Sequence, residues 1–191
     1  MTETIENWLG NVTSQVDGIL RPTSVPELQE LLQAEPGRLL VMGGRMSKTA
    51  LLEARAGRAL DMTGLDRILE FGVDSVLVQA GISVYELSRA LYARGRQLPG
   101  FTITANPTIG GMITAPTKGS NHPWVPRANS VSSAISWVKV LRPDGQLVEL
   151  RVAEHDDELA LLRDSYGAVG IVVEARLHTL PLVSAEVQDE I

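Results

Sequence analysis

The sequence predicts an α+β fold in which a small βαβ lobe leads into a mainly antiparallel sheet carrying helices. Apolar strand-like runs alternate with helical patterns through the first part of the chain. Farther on, Pro143-Asp144-Gly145 is a strong turn signal between two apolar runs, 131–141 and 146–152, which read as a hairpin. In order, Thr23-Ser24-Val25-Pro26-Glu27 starts a helix with a hydroxyl cap, a proline in the first turn and an acid near the positive end of the dipole. Leu28, Leu31 and Leu32 share one face of it, and Pro36-Gly37 stops it. A strand over 38–42, a helix or loop across 48–56 and a strand near 59–62 complete the βαβ-like lobe. Two strands at 68–72 and 75–80 meet at a tight turn, Val73-Asp74. Ser83 caps a helix over 84–94, with Leu87, Ala90 and Leu91 at helical spacing and Gly95 at its end. The last strand spans 169–177, and the pattern ends near Pro181. One domain over 1–191 is expected, with lobes roughly at 15–66 and 67–183.

Composition narrows the function. With 191 residues, 44% of them apolar, the chain can bury one substantial core. Seventeen Lys and Arg against 23 Asp and Glu give a net charge of −6, so nothing in the global electrostatics points to nucleic acid or an anionic membrane as partner. The absence of cysteine excludes a disulfide framework and thiolate chemistry. The amino terminus lacks a basic region followed by an apolar core, and no apolar run approaches about 18 residues, so a cytoplasmic protein without a membrane span is expected. His122, His155 and His178 are far apart and lack metal-ligand spacing, so no metal site is expected. His155 reads as a solvated helix start, His178 as an edge residue, Trp137 as sheet packing, and Trp124 as cover for a cofactor or a partner surface.

Three glycine clusters carry the chemistry. Thr108-Ile109-Gly110-Gly111-Met112-Ile113-Thr114 and Thr117-Lys118-Gly119-Ser120-Asn121-His122 read as glycine-centred turns rich in hydroxyl and amide groups. Glycine lets backbone N–H groups approach phosphate oxygens without a Cβ in the way, and Thr or Ser adds a short donor. Upstream, the strand 38–42 runs into Gly43-Gly44-Arg45-Met46-Ser47-Lys48-Thr49, a candidate anion nest with cations beside it. This is neither the G-x-G-x-x-G dinucleotide fingerprint nor a P-loop. The third cluster, from Ser165-Tyr166-Gly167-Ala168-Val169-Gly170 to Leu177, reads as a tight turn that feeds an apolar run, the last strand.

In this order the segments resemble the PCMH-type FAD-binding domain of the vanillyl-alcohol-oxidase flavoproteins, over residues 19–182. Leu20 to Leu28 is similar to the family's x-x-P-x-x-x-x-E-L opening. The loop Gly43 to Thr49 stands where the family wraps the pyrophosphate. Asp61-Met62-Thr63-Gly64-Leu65-Asp66-Arg67-Ile68 and Val78-Gln79-Ala80-Gly81 resemble two further segments. Leu98-Pro99-Gly100, the Gly110-Gly111 pair and the ending from Gly167 to Leu177 then follow at the family's distances. Within the family, Asp61 to Ile68 and Lys118 to His122 resemble the decaprenylphosphoryl-ribose oxidase group and its sugar and alditol oxidase relatives. The cofactor contacts implied are Gly43, Gly44, Arg45, Met46, Ser47, Lys48, Pro99, Thr108, Ile109, Gly110, Gly111, Thr114, Thr117, Lys118, Gly119, Asn121, His122, Gly167, Gly170, Ile171 and Val172; no catalytic residue is assigned.

The departures from the pattern are informative. The family loop usually reads G-x-G-H/R-S, whereas here Arg45 replaces the last glycine and Met46 the next residue, with Ser47 retained. If that position needs positive φ, Arg45 carries steric strain that glycine would not. Arg45 and Lys48 either offset pyrophosphate charge or stand as solvated loop cations. Lys118 occupies a place where many relatives have histidine, and His122 is either a site residue or an ordinary loop histidine. Since covalent members attach the flavin through the loop histidine, sometimes with a cysteine, Met46 and the lack of cysteine imply noncovalent FAD.

The resemblance implies an FAD-binding domain or subunit of an oxidoreductase acting on CH–OH groups of a sugar or polyol-like substrate. The alternative is a noncatalytic interaction protein that kept the fold and lost the cofactor. In the family a second domain covers the flavin, so with the sequence ending at Ile191 the chain is expected to expose an apolar face, to self-associate or take a second subunit there, and to turn over negligibly alone.

Overall fold

The computed structural model describes residues 2–34, 37–53, 57–102, 104, 106–115, 117, 119–121, 131–163 and 165–183. In chain order the strands are β1 (Glu3–Glu6), β2 (Thr13–Val16), β3 (Ile19–Leu20), β4 (Leu39–Met42), β5 (Arg58–Asp61), β6 (Ile68–Phe71), β7 (Ser75–Gln79), β8 (Arg96–Gln97), β9 (Gly100–Phe101), β10 (Ser120–Asn121), β11 (Ile135–Leu141), β12 (Leu147–Arg151), β13 (Ile171–His178) and β14 (Leu180–Pro181). The α-helices are α1 (Val25–Ala34), α2 (Val84–Tyr92), α3 (Ile109–Thr114) and α4 (Asp156–Leu162).

The first lobe is a parallel sheet of order β3-β5-β4, with α1 following β3 as the crossover expected of a βαβ unit. Helix α1 starts where the hydroxyls and acid lie: Ser24 Oγ accepts from Glu27 N at 3.3 Å, and the Glu27 carboxylate accepts from Thr23 N and Oγ1 at 2.8 and 2.9 Å. Its buried Leu28 packs with Leu60, Met62 and Leu65 of the β5 end and with Leu141 and Val173 of the second sheet.

That second sheet is antiparallel, with order β12-β11-β13-β7-β6. One face carries α2, α3 and α4, whose Leu87, Leu91, Ile109, Met112, Ile113, Leu159 and Leu162 close over Val76, Val78, Val138, Val140, Leu150, Ala175 and Leu177. The opposite face holds Lys139–Glu174 and Arg176–Glu70 ion pairs, each at 2.9 Å. Trp137 belongs to this charged side, where its Nε1 donates to Glu149. The pairing of β11 with β13 passes from Lys139↔Glu174 to Val140↔Val172, leaving Val173 as an extra residue. This bulge lets Val172 and Ala175 face the helices while Val173 faces the α1 layer.

Several features depart from the sequence reading: the strand expected from Val131 begins only at Ile135, after a 3-10 turn over Val131–Ala134, and the expected turn over 117–122 contains strand β10. Thr108 to Thr114 forms no glycine turn: Thr108 caps α3, its side chain accepting from Gly111 N at 3.3 Å, because burial of Ile109, Met112 and Ile113 at i, i+3, i+4 spacing outweighs two helix-weakening glycines. The hairpin β1–β2 was also not anticipated; it pairs Glu3↔Val16 through Glu6↔Thr13 and buries Ile5 and Val16 against Met42, Leu52 and Ala59. Helix α2 has Ser83 as cap and ends at Tyr92, with Gly95 just beyond at φ 65°.

Asp61 anchors the end of β5. Its Oδ1 accepts from Thr63 N and Oγ1 at 3.0 and 2.7 Å, and its Oδ2 accepts from Arg21 Nε and Nη2 at 3.0 and 2.6 Å. Burial pushes the carboxyl's pKa up, but the Thr63 hydrogen bonds and Arg21 more than reverse this and hold it below the ordinary carboxylate range. A depressed folded-state pKa stabilises the protein above the unfolded value, near about 3.9, and the contribution disappears as pH falls through the lower folded value. Asp61→Asn should therefore cost about 1.5 kcal/mol at neutral pH, the low end for charged hydrogen bonds because Arg21 is exposed, and much less in acid. Urea denaturation at pH 7 and pH 3 checks this, and an equal cost at both would count against the carboxylate's role.

Candidate functional site

The parallel register places Met42 beside Asp61, and the chain leaves β4 there as the loop Gly43 to Thr49. This loop lies against the cap of α3: a Cβ on Gly43 would overlap the Thr108 hydroxyl, and one on Gly44 would overlap the Asn106 carbonyl oxygen. The two glycines thus bring the loop close to the segment leading into α3. Between them runs a cleft of about 380 Å³, within the roughly 300–1,000 Å³ usual for small-molecule sites.

The cleft gathers Gly43, Gly44, Arg45, Met46 and Ser47 on the loop side, with Thr108, Gly111, Thr114 and Thr117 from α3 and its flank. Arg45 adopts φ 55°, the left-handed conformation that glycine takes freely and that costs other residues about 1–2 kcal/mol. Its carbonyl accepts from Trp8 N at 3.1 Å. Among the described residues, the N–H groups of Gly44, Arg45 and Met46 have no protein acceptor. Ser47 Oγ accepts from Thr49 N at 3.2 Å and so tightens the far side of the loop. The Lys48 ammonium is drawn off to the Trp8 ring, 5.9 Å from its centroid, and does not line the cleft. Arg45 is therefore the loop cation at the site.

The two glycines of α3 separate by role. Gly110 sits against the sheet, its N–H donating to Ala80 O at 2.7 Å, with Ala80 only 3.2 Å from where its Cβ would stand. Gly111 faces the cleft and is exposed. Ile109 is core. Pro99 is buried between β8 and β9, Asn121 pairs with Gly100 in the β10–β9 ladder, and Gly119 precedes that ladder. Gly167 has φ 85°; Gly170 has φ 148° and packs against the Leu141 carbonyl; Ile171 and Val172 belong to β13. None of these lines the cleft. Lys118, His122 and Trp124 lie outside the described residues. His155 Nδ1 accepts from Arg151 N at 3.2 Å, and His178 is exposed at the end of β13. No cluster of metal-ligating side chains occurs among the described residues.

Residues that were not among the expected cofactor contacts complete the site. Val41, Leu51 and Met112 add an apolar wall. Tyr166 lines the cleft in a left-handed conformation, φ 53°, its N–H donating to Thr114 O at 2.7 Å. Its place directly before Gly167 was the available signal, since a residue beside a phosphate-type glycine cluster is itself positioned for contact.

Among the described residues the cleft thus combines loop N–H groups without a protein acceptor, a left-handed Arg45, short hydroxyls and an apolar wall, a chemistry compatible with a nucleotide-type cofactor. The sequence model of the FAD binding domain family matches residues 16–151, and the chain belongs to that family, the PCMH-type domain of the vanillyl-alcohol-oxidase flavoproteins. It is 31% identical to the L-galactono-1,4-lactone dehydrogenase 1, mitochondrial, of Oryza sativa subsp. japonica, over 91% of this chain and 30% of that protein. It is 30% identical to the D-arabinono-1,4-lactone oxidase of Eremothecium gossypii, over 97% of this chain and 36% of that protein. The fold matches an alkyldihydroxyacetonephosphate synthase structure at TM-score 0.74 and 21% identity, over 87% of this chain and 32% of the other. The chain thus spans well under half the length of these relatives, and the likeness does not favour a noncatalytic reading that dispenses with FAD. No helix among the described residues is long and apolar enough to cross a membrane.

The donor set fits the family's cofactor. A diphosphate needs N–H donors and a cation, and the loop side of the cleft contains Gly44, Arg45 and Met46; a ring system needs an apolar wall, and Val41, Leu51 and Met112 line the cleft.

Proposed function

We propose that this chain holds FAD noncovalently as the flavin-binding part of an oxidoreductase acting on a CH–OH group of a sugar-derived lactone. The observation that carries the reading is the cleft between the Gly43 to Ser47 loop and α3, in a chain similar along most of its length to sugar lactone oxidoreductases. When bound, the flavin supplies hydride acceptance from the substrate carbon. The protein's own part is binding and orientation: the loop N–H groups and the Arg45 guanidinium hold the diphosphate, while Gly111 leaves room beside it. Val41 and Leu51, each 43% exposed at the cleft, offer an apolar surface that a second subunit, or another copy of the chain, would cover.

Two residue facts support noncovalent attachment: the loop position that anchors flavin in covalent members is Met46, and the sequence contains no cysteine. Titration of the purified protein with FAD, followed by flavin fluorescence, should saturate. Acid precipitation should then release all the flavin into the supernatant, whereas colour retained on the precipitated chain would refute noncovalent binding. Failure to bind FAD would refute the function itself.

A further inference from the structure

The β1–β2 turn reaches across to the cofactor loop. Asn7 is 3% exposed, and its side chain is fully engaged: Oδ1 accepts from Val12 N at 3.2 Å, while Nδ2 donates to Asn11 Oδ1 at 2.7 Å and to Ser47 O at 2.9 Å. The first two bonds close the turn, as an asparagine in such a place commonly does. The third spans forty residues of sequence and serves the loop instead. It has company: Trp8 N donates to Arg45 O at 3.1 Å, and Asn11 Nδ2 reaches Lys48 O at 3.5 Å. The Trp8 ring beneath the Lys48 ammonium adds a side-chain contact.

The loop therefore has three carbonyls tied to the hairpin while the N–H groups of Gly44 to Met46 have no acceptor among the described residues. It also contains a non-glycine residue held at positive φ, a conformation that persists only where its surroundings over-determine it. We infer that Asn7 is a positioning residue that, through the turn it closes, clamps the Arg45 to Lys48 backbone from behind and presents the loop's N–H groups to the cofactor diphosphate. Asn7, Trp8 and Asn11 all precede residues 16–151, the segment matched by the family model. The role toward the diphosphate rests on the FAD reading above; the bracing of the loop does not.

Asn7→Asp keeps an oxygen that accepts from Val12 N but loses the N–H groups that bind Ser47 O and Asn11 Oδ1, so it releases the loop and half of the turn closure together. Ile5→Val is the control: it trims the buried side of the same hairpin without touching the loop. In the FAD-free protein, trypsin should cut after Arg45 and Lys48 about tenfold faster in Asn7→Asp than in wild type, since cleavage follows the population of the released loop. FAD affinity should fall by about the same factor. Ile5→Val should leave both at wild-type values even where its thermal midpoint drops as far. If Asn7→Asp fails to fold, the exposed Asn11→Ala, which frees the Asn7 amide, should move both readouts in the same direction by about threefold. Wild-type cleavage in these variants overturns the clamp whether or not FAD binds. Where wild type binds FAD, unchanged affinity overturns it too. Absence of FAD binding by the wild type would refute the cofactor reading alone.

Discussion

Gly111→Val should weaken FAD binding about 100-fold, equal to about 2.7 kcal/mol, with the thermal midpoint nearly unchanged. A Cβ at Gly111 meets only the Thr108 hydroxyl, at 3.3 Å, so the fold has space for the side chain; that space is the cleft. Valine is also a better helix residue than glycine, which removes the usual reason for such a substitution to destabilise. Gly110→Val, one residue earlier, should behave in the opposite sense. Its side chain would press on Ala80 and approach the Val172 carbonyl, an overpacking that costs about 1–3 kcal/mol before any cofactor is added. Flavin fluorescence titration and thermal melts of the pair check both halves. Equal FAD affinity in Gly111→Val and wild type would remove α3 from the cofactor site.

Gly81→Ala should cost about 3 kcal/mol, at the upper end for overpacking. Gly81 follows β7 where that strand passes the end of β5, and its N–H donates to Leu65 O at 2.8 Å. A Cβ there would overlap the Met62 carbonyl and stand 2.7 Å from that of Leu65. Both obstacles are backbone, which cannot rotate aside as a side chain can, so the β5 end would have to move away from β7. Met62 and Leu65 belong to the layer packed under α1, and their displacement would loosen it. Urea denaturation gives the value directly; a loss below about 1 kcal/mol would mean that the contact relaxes freely.

Where the sequence pattern was regular, the fold was legible. Helix α2 follows from a serine cap and Leu87 and Leu91 at helical spacing, and the β11–β12 hairpin follows from its Pro-Asp-Gly turn. The alternation of lobes also followed, since a βαβ order and paired apolar runs admit few topologies. The positive φ at Arg45 was anticipated as the condition under which a non-glycine residue would be strained. What escaped were elements whose stability is not local. Strands β1 and β2 read ETIE and TSQV and present few apolar residues to find; tertiary contacts through Ile5 and Val16 and the asparagine turn hold them. Helix α3 is six residues with two glycines, below the length at which propensity alone predicts a helix.

The candidate site was legible in its loops and less so in its geometry. Spacing brought the Gly43 to Ser47 loop and the Gly111 region to attention, and the cleft joins them. Sequence could not say which of two adjacent glycines faces solvent, nor that Trp8 draws Lys48 aside and leaves Arg45 as the cation. Those outcomes depend on a helix being present and on a hairpin that no local pattern announces.

The single extra residue in β13 has a reach beyond the strand itself. The Val173 side chain lies in the layer under α1, while its carbonyl accepts from Ala80 N at 2.9 Å, and Ala80 O in turn accepts from Gly110 N at 2.7 Å. Two consecutive hydrogen bonds therefore tie the floor beneath α1 to the helix that faces the cleft. Core substitutions around Leu28 or Leu60, neither of which lines the cleft, have a mechanical route to the helix that does, and screening such variants for flavin retention would reveal how far the two layers share one load.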